Sequence, residues 1–210
     1  TGVFQQTKYE RPVGVLGLER TADSARLWFI RAGGDVISTW DGNQYTDYGR
    51  AEGWILRAEP AQPPLPGSFV PGPSGELWIS TDRDIRVFDG ERWRVFTATE
   101  LGMPLPAYAG QHASFVVGLR GEEAWAGACH WQGREPLAGG LRRFDGLRWV
   151  EAGLPVPGGC VTAIQSDGLG NVWVGVDGVL WRLDALSDEW HRLPPFDLSL
   201  VQRAGTVPEI

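Results

Sequence analysis

Four tryptophans, Trp28, Trp78, Trp125 and Trp173, recur at intervals of 47–50 residues, each within a short run where bulky residues alternate with small or polar ones. A repeat of this length cannot bury its apolar face alone, so the copies must stack on one another. The clearest copy runs from Val161 to Leu193: Val161–Asp184, followed by Glu189–Leu193, reads as four short strands separated by Gly- and Asp-rich turns. Four strands per unit at this period predict the blades of an all-β propeller rather than a sandwich or a solenoid of shorter repeat.

The other copies share that register. Residues 13–49 form blade 1, 67–97 blade 2, 112–152 blade 3 and 160–193 blade 4. Leu65-Pro66, Leu105-Pro106, Leu154-Pro155 and Leu193-Pro194 each precede a new inner strand, where the chain leaves one blade for the axis of the next. Residues 1–12 look like outer-strand material and 194–210 like the start of a further blade, so the termini predict either an extra blade shared between them or a cut through a larger propeller. Asp41-Gly42, Asp89-Gly90 and Asp145-Gly146 predict two-residue hairpins with positive φ between third and outer strands. The anchor tryptophans are expected between blades with each indole N–H bonded, so that Trp173→Ala would cost roughly 3–5 kcal/mol.

Composition narrows the partners. The net charge is −7, and no Lys/Arg cluster breaks the acidic balance, which argues against a nucleic-acid surface. No apolar run approaches the roughly 20 residues of a membrane-spanning helix. Two cysteines are too few for a disulfide scaffold.

The sequence Asp167-Gly-Leu-Gly-Asn-Val-Trp-Val-Gly175, followed by Gly178-Val-Leu-Trp-Arg-Leu-Asp184 and Trp190, resembles the two-component-regulator propeller repeat. Gly75-Glu-Leu-Trp-Ile-Ser-Thr81 with Ile85-Arg-Val-Phe-Asp-Gly90 matches nearly as well, and the resemblance covers about residues 13–193. It implies the non-catalytic, ligand-sensing domain of a bacterial signalling protein, lying outside the membrane. A protein-interaction scaffold is the alternative. A lyase built on similar repeats is a third reading, with His112 as the one inner-strand histidine.

On the face carrying the links between blades, the stretch Ala128–Ala138 reads as a loop inserted between second and third strands. Together with the link into blade 3 it would gather Tyr108, Gln111, His112, His130, Trp131 and Arg134 around a small molecule or glycan, the aromatic rings as platforms and the polar groups as hydrogen-bonding partners. Cys129 and Cys160 fall on the same face in adjacent blades, as two free thiols, as a disulfide or, with His112 and His130, as a metal site; the spacing resembles neither C-x-x-C nor H-x-x-x-H, and no metal or cofactor is assigned. Asp167–Asn171 lacks the acidic alternation of a calcium loop and reads as a turn. Two copies of the chain could also close one larger ring.

Overall fold

A computed structural model describes residues 12–20, 25–31, 36–54, 66–103 and 111–194. The expected strand material at 1–11, the further blade from 195 onward and Tyr108 lie outside the described residues. Blade 1 comprises β1 (Pro12–Arg20), β2 (Ala25–Arg31), β3 (Ile37–Trp40) and β4 (Tyr45–Tyr48). Blade 2 comprises β5 (Pro66–Pro71), β6 (Leu77–Thr81), β7 (Asp84–Phe88) and β8 (Trp93–Thr97). Blade 3 is β9 (Gln111–Arg120), β10 (Glu123–Gln132), β11 (Glu135–Phe144) and β12 (Trp149–Glu151). Blade 4 is β13 (Val161–Ser166), β14 (Val172–Val176), β15 (Val179–Leu183) and β16 (Trp190–Arg192). Each blade is an antiparallel meander in chain order, and the only helical element among the described residues is the 3₁₀ turn Arg50–Glu52.

The inner strands pack in succession, β1 on β5, β5 on β9 and β9 on β13. Among the described residues β13 and β1 share no comparable contact. The described blades therefore form a four-membered propeller run stacked in chain order.

The alternation within each second strand explains the stacking. Trp28 sits in the cluster with Leu77, Ile79, Phe88 and Trp93 of blade 2; Trp78 lies with Phe115, Val117 and Ala126 of blade 3; Trp125 lies with Val161, Val172 and Val174 of blade 4. Odd and even positions of one strand thus face opposite neighbours, so every blade needs two apolar faces. Trp28 and Trp125 are 1% exposed and Trp78 is 7% exposed. Trp173, the fourth anchor, is only half-buried, because no described blade covers its face. Its replacement by Ala should accordingly cost less in the isolated chain than full burial implies.

Indole bonding follows a pattern with one exception. Trp28 Nε1 donates to Glu19 at 2.7 Å, Trp125 Nε1 to Glu123 at 3.0 Å and Trp173 Nε1 to Asp167 at 2.9 Å. Trp78 Nε1 is buried without a partner. Glu76, two residues before it, instead accepts from the Ser74 backbone N–H.

The turns before the outer strands are longer than the expected two-residue hairpins. Trp40 pairs with Tyr45, leaving four residues in the loop, and the Asp41 carboxylate accepts the backbone N–H groups of Asn43 and Gln44. Asp89 and Asp145 repeat this arrangement, and Asp184 accepts the N–H groups of Leu186 and Ser187 in a loop of six residues. The positive φ survives at Gly42, Gly90 and Gly146. An acidic side chain closing its own turn selects the wider loop.

Asp167 closes the turn between β13 and β14 in a related way, accepting from the Asn171 amide, the Trp173 indole and the backbone N–H groups of Leu169 and Asn171. These donors, the Asn171 amide first and the indole second, hold its carboxyl at about 2, well below the ordinary 3.8. A carboxylate depressed on folding stabilises fully above its ordinary value, and that contribution disappears as the pH falls toward about 2. Asp167→Asn should therefore flatten the loss of stability between about pH 4 and pH 2. Urea midpoints across that range test it: the same acid limb in both proteins would exclude Asp167 as a contributor.

Candidate functional site

The segment expected as an inserted loop is a β-ribbon. β10 and β11 continue as paired strands to a tight turn at Gly133-Arg134, and β9 pairs alongside as far as Gln111 opposite Gln132. Ten-residue strands extend blade 3 beyond the other blades, whose described inner and middle strands are shorter. Backbone groups that a loop would leave to water are here bonded in a ladder.

Two of the expected site residues meet on this ribbon. Trp131 lies opposite His112, with ring centroids 6.4 Å apart and planes 11° from parallel. Trp131 Nε1 donates to Ser114 Oγ at 3.1 Å, which fixes the indole, while His112 is exposed. Arg134 stands at the exposed tip, and Gln111 is placed here by its backbone pairing alone.

His130 departs from the expected group. One residue along the strand from Trp131, its side chain points to the opposite face of the blade, where it is 4% exposed and its Nε2 has no partner. Burial pushes its imidazole below the usual 6.5, so the neutral form is favoured. It cannot share a ligand with Trp131 and His112 in this arrangement.

Cys129 and Cys160 are joined as a disulfide, with Cα atoms 4.4 Å apart and both residues buried. The bond ties the middle of the ribbon to the link entering blade 4. Gly139 makes that approach possible: a Cβ there would lie 2.1 Å from the Ala128 carbonyl oxygen and 2.9 Å from the Cys160 Cα. Gly139 N–H also donates to Gly158 O at 2.8 Å.

Sequence reasoning missed two features. At the opposite mouth of the propeller a cavity of about 430 Å³ gathers the far ends of all four inner strands: Arg20 from β1, Val70 and Pro71 from β5, Gly118 and Leu119 from β9, Gln165 and Ser166 from β13. No local signal marks these residues, because each belongs to a different repeat. The second is a buried ion pair, Arg86 Nε to Asp84 Oδ1 at 2.8 Å, with the guanidinium 4.1 Å over the Trp54 ring. An arginine within a strand reads as solvent-facing, but this one is 2% exposed beneath the Trp54 ring. Among the described residues no group of three or more His, Cys, Asp or Glu side chains converges as a metal site, and no helix is long and apolar enough to cross a membrane.

No known sequence family matches the chain, and no characterised protein matches it by sequence. Solved structures do share its fold. Virginiamycin B lyase from Staphylococcus aureus superposes with a TM-score of 0.53 at 16% identity, over 85% of this chain and 55% of the lyase. The extracellular domain of BT4673 from B. thetaiotaomicron, described as a hybrid two component system, superposes at 0.54 and 13% identity, over 92% of this chain and 24% of that domain. The chain thus spans about half of the first and about a quarter of the second. The fold is a β-propeller of the kind found in that two-component ectodomain.

Proposed function

We propose that the chain is a non-catalytic ligand-sensing propeller of an extracytoplasmic bacterial signalling protein, which takes a small molecule or glycan on the blade 3 ribbon. The Trp131–His112 pair carries this reading. A half-buried indole fixed by Ser114 beside an exposed imidazole offers a rigid flat platform with hydrogen-bonding groups at its edge. The disulfide beneath it holds the platform against blade 4 and limits the entropy lost on binding. The likeness in fold to the BT4673 ectodomain supports the sensor reading.

A panel of oligosaccharides and small metabolites, screened by thermal shift, should contain a compound that raises the melting temperature, since binding to the native state alone stabilises by about 2.7 kcal/mol at a hundredfold excess over Kd. Trp131→Ala should abolish that shift while leaving the circular dichroism spectrum unchanged. Undiminished binding in the variant would move the ligand elsewhere, and the axial cavity would be the next place to test. Leu137, 49% exposed on the ribbon, supports a second reading in which the ribbon docks a protein; that reading expects a partner whose retention is lost in Leu137→Glu.

A further inference from the structure

In a four-stranded antiparallel meander the first-to-second and third-to-fourth turns emerge at the same end, here the mouth opposite the ribbon. Among the described turns at that end, five close in one way: an aspartate side chain accepts the backbone N–H of the residue two positions on. The tip residues so held are Asn43 in blade 1, Glu91 in blade 2, Leu147 in blade 3, and Leu169 and Leu186 in blade 4, all of them exposed. The cap uses only the backbone of the tip residue, so the turn itself does not select the side chain. Blades 1 and 2 carry polar side chains there, whereas blades 3 and 4 carry leucines that are 83–99% exposed.

The three leucine turns are tied to one another. Ala185 N–H donates to Asn171 Oδ1 at 2.9 Å, joining the Leu186 turn to the Leu169 turn. Ion pairs carry the connection to blade 3: Arg143 to Glu123 at 3.2 Å, Glu123 to Arg120 at 3.2 Å and Arg120 to Asp188 at 3.9 Å. A groove of about 200 Å³ separates the outer strands of the two blades, with Leu183, Asp188 and Trp190 on one side and Arg143 and Glu151 on the other. Because the backbone donor of each tip is already bonded, a leucine here can enter an apolar surrounding without stranding its own N–H.

Charge decides what fits over these tips. Residues 120–123, 143–148, 166–171 and 182–189 hold seven carboxylates and four arginines. The capping carboxyls stay ionised near neutrality: Asp167 is held at about 2, and backbone N–H groups, of Arg148 before Leu147 and of Ser187 before Leu186, lower Asp145 and Asp184. A lipid surface would have to receive an ionised carboxylate two residues from every leucine, at a high desolvation cost. A protein surface that sets cations beside apolar side chains satisfies both groups. We propose that the Leu147, Leu169 and Leu186 tips dock a protein segment in which apolar side chains lie beside lysine or arginine, the apolar groups covering the leucines and the cations meeting the carboxylates. This surface lies at the end of blade 3 away from the ribbon and is independent of the ligand reading.

A phage-displayed library of random peptides tests it, cleared first on Leu147→Asn/Leu169→Asn/Leu186→Asn and then selected on the parent chain. Asn already holds this turn position in blade 1, so the variant should keep the parent's circular dichroism spectrum and urea midpoint. The peptides recovered should combine Lys or Arg with apolar residues and bind the parent about tenfold or more tighter than the variant. Their affinity should fall as salt is raised from about 50 to about 500 mM. If the triple variant unfolds, Leu186→Asn alone, at a position 99% exposed, replaces it and should weaken the same peptides severalfold. A selection that yields no tip-dependent peptide, or only peptides without cations, would overturn the proposal. So would parent chain retained on phosphatidylcholine vesicles through the leucines, which would make lipid the occupant, or a parent dimer in light scattering that the variant abolishes, which would make it a second copy.

Discussion

Trp125→Ala is expected to destabilise the isolated chain by about 3–5 kcal/mol, the range for removing a large aromatic from a packed interior. The residue is 1% exposed and packs among Leu141, Val161, Val172, Val174 and Val176, so the truncation opens a void between blades 3 and 4 rather than at a surface. It also strips Glu123 of one of its donors, although Arg120 and Arg143 still pair with that carboxylate. Equilibrium urea unfolding supplies the measurement, with Trp173→Ala as the comparison. The half-buried Trp173 should lose clearly less. Equal losses would mean that the fourth anchor is as enclosed as the third, contrary to the packing described above.

The second large effect concerns the disulfide. Cys129 and Cys160 are 31 residues apart, and closing a loop of that length restricts the unfolded chain by roughly 3–4 kcal/mol on the chain-entropy account. Replacing both cysteines by serine would add the cost of burying two hydroxyls, so Cys129→Ala/Cys160→Ala is the cleaner variant. It should lower the urea midpoint by an amount within that range, and reduction of the unfolded parent should produce the same shift on refolding in reductant. Because both sulfurs are buried, the folded parent should resist mild reductant for much longer than the unfolded protein does. A double variant with the parent's midpoint would show that the bond contributes nothing net.

These two experiments bear on opposite sides of the same junction. Trp125 fills the space between blades 3 and 4, and the disulfide fastens the link that crosses it. The ribbon carrying Trp131 and His112 rises from that junction, so its rigidity depends on both. The platform is built on paired strands rather than a loop, an arrangement suited to holding a binding geometry with little reorganisation.

The candidate site was legible only in part. A search for aromatic and polar residues near the blade 3 link finds His112 and Trp131, and the register of β9 against β10 makes them neighbours. The same search includes His130, which alternation in a ribbon sends to the other face; reading the stretch as a loop concealed that parity. The stretch disguised itself because Gly133 is its only strong turn residue and Pro136 interrupts the expected strand pattern.

Local features are legible in the sequence: the period of 47–50 residues, the strand alternation, the Asp-Gly turns and the anchor tryptophans. Each depends on the conformational preferences of neighbours along the chain and on the two-residue period of a strand, so each can be read without knowing where any other segment lies. Packing alone brings Cys129 to Cys160, buries Arg86 under Trp54 and gathers the ends of four inner strands around a cavity. Those facts depend on how one repeat stacks on the next, and the spacing between residues of different blades is set by packing rather than by any residue's own preference.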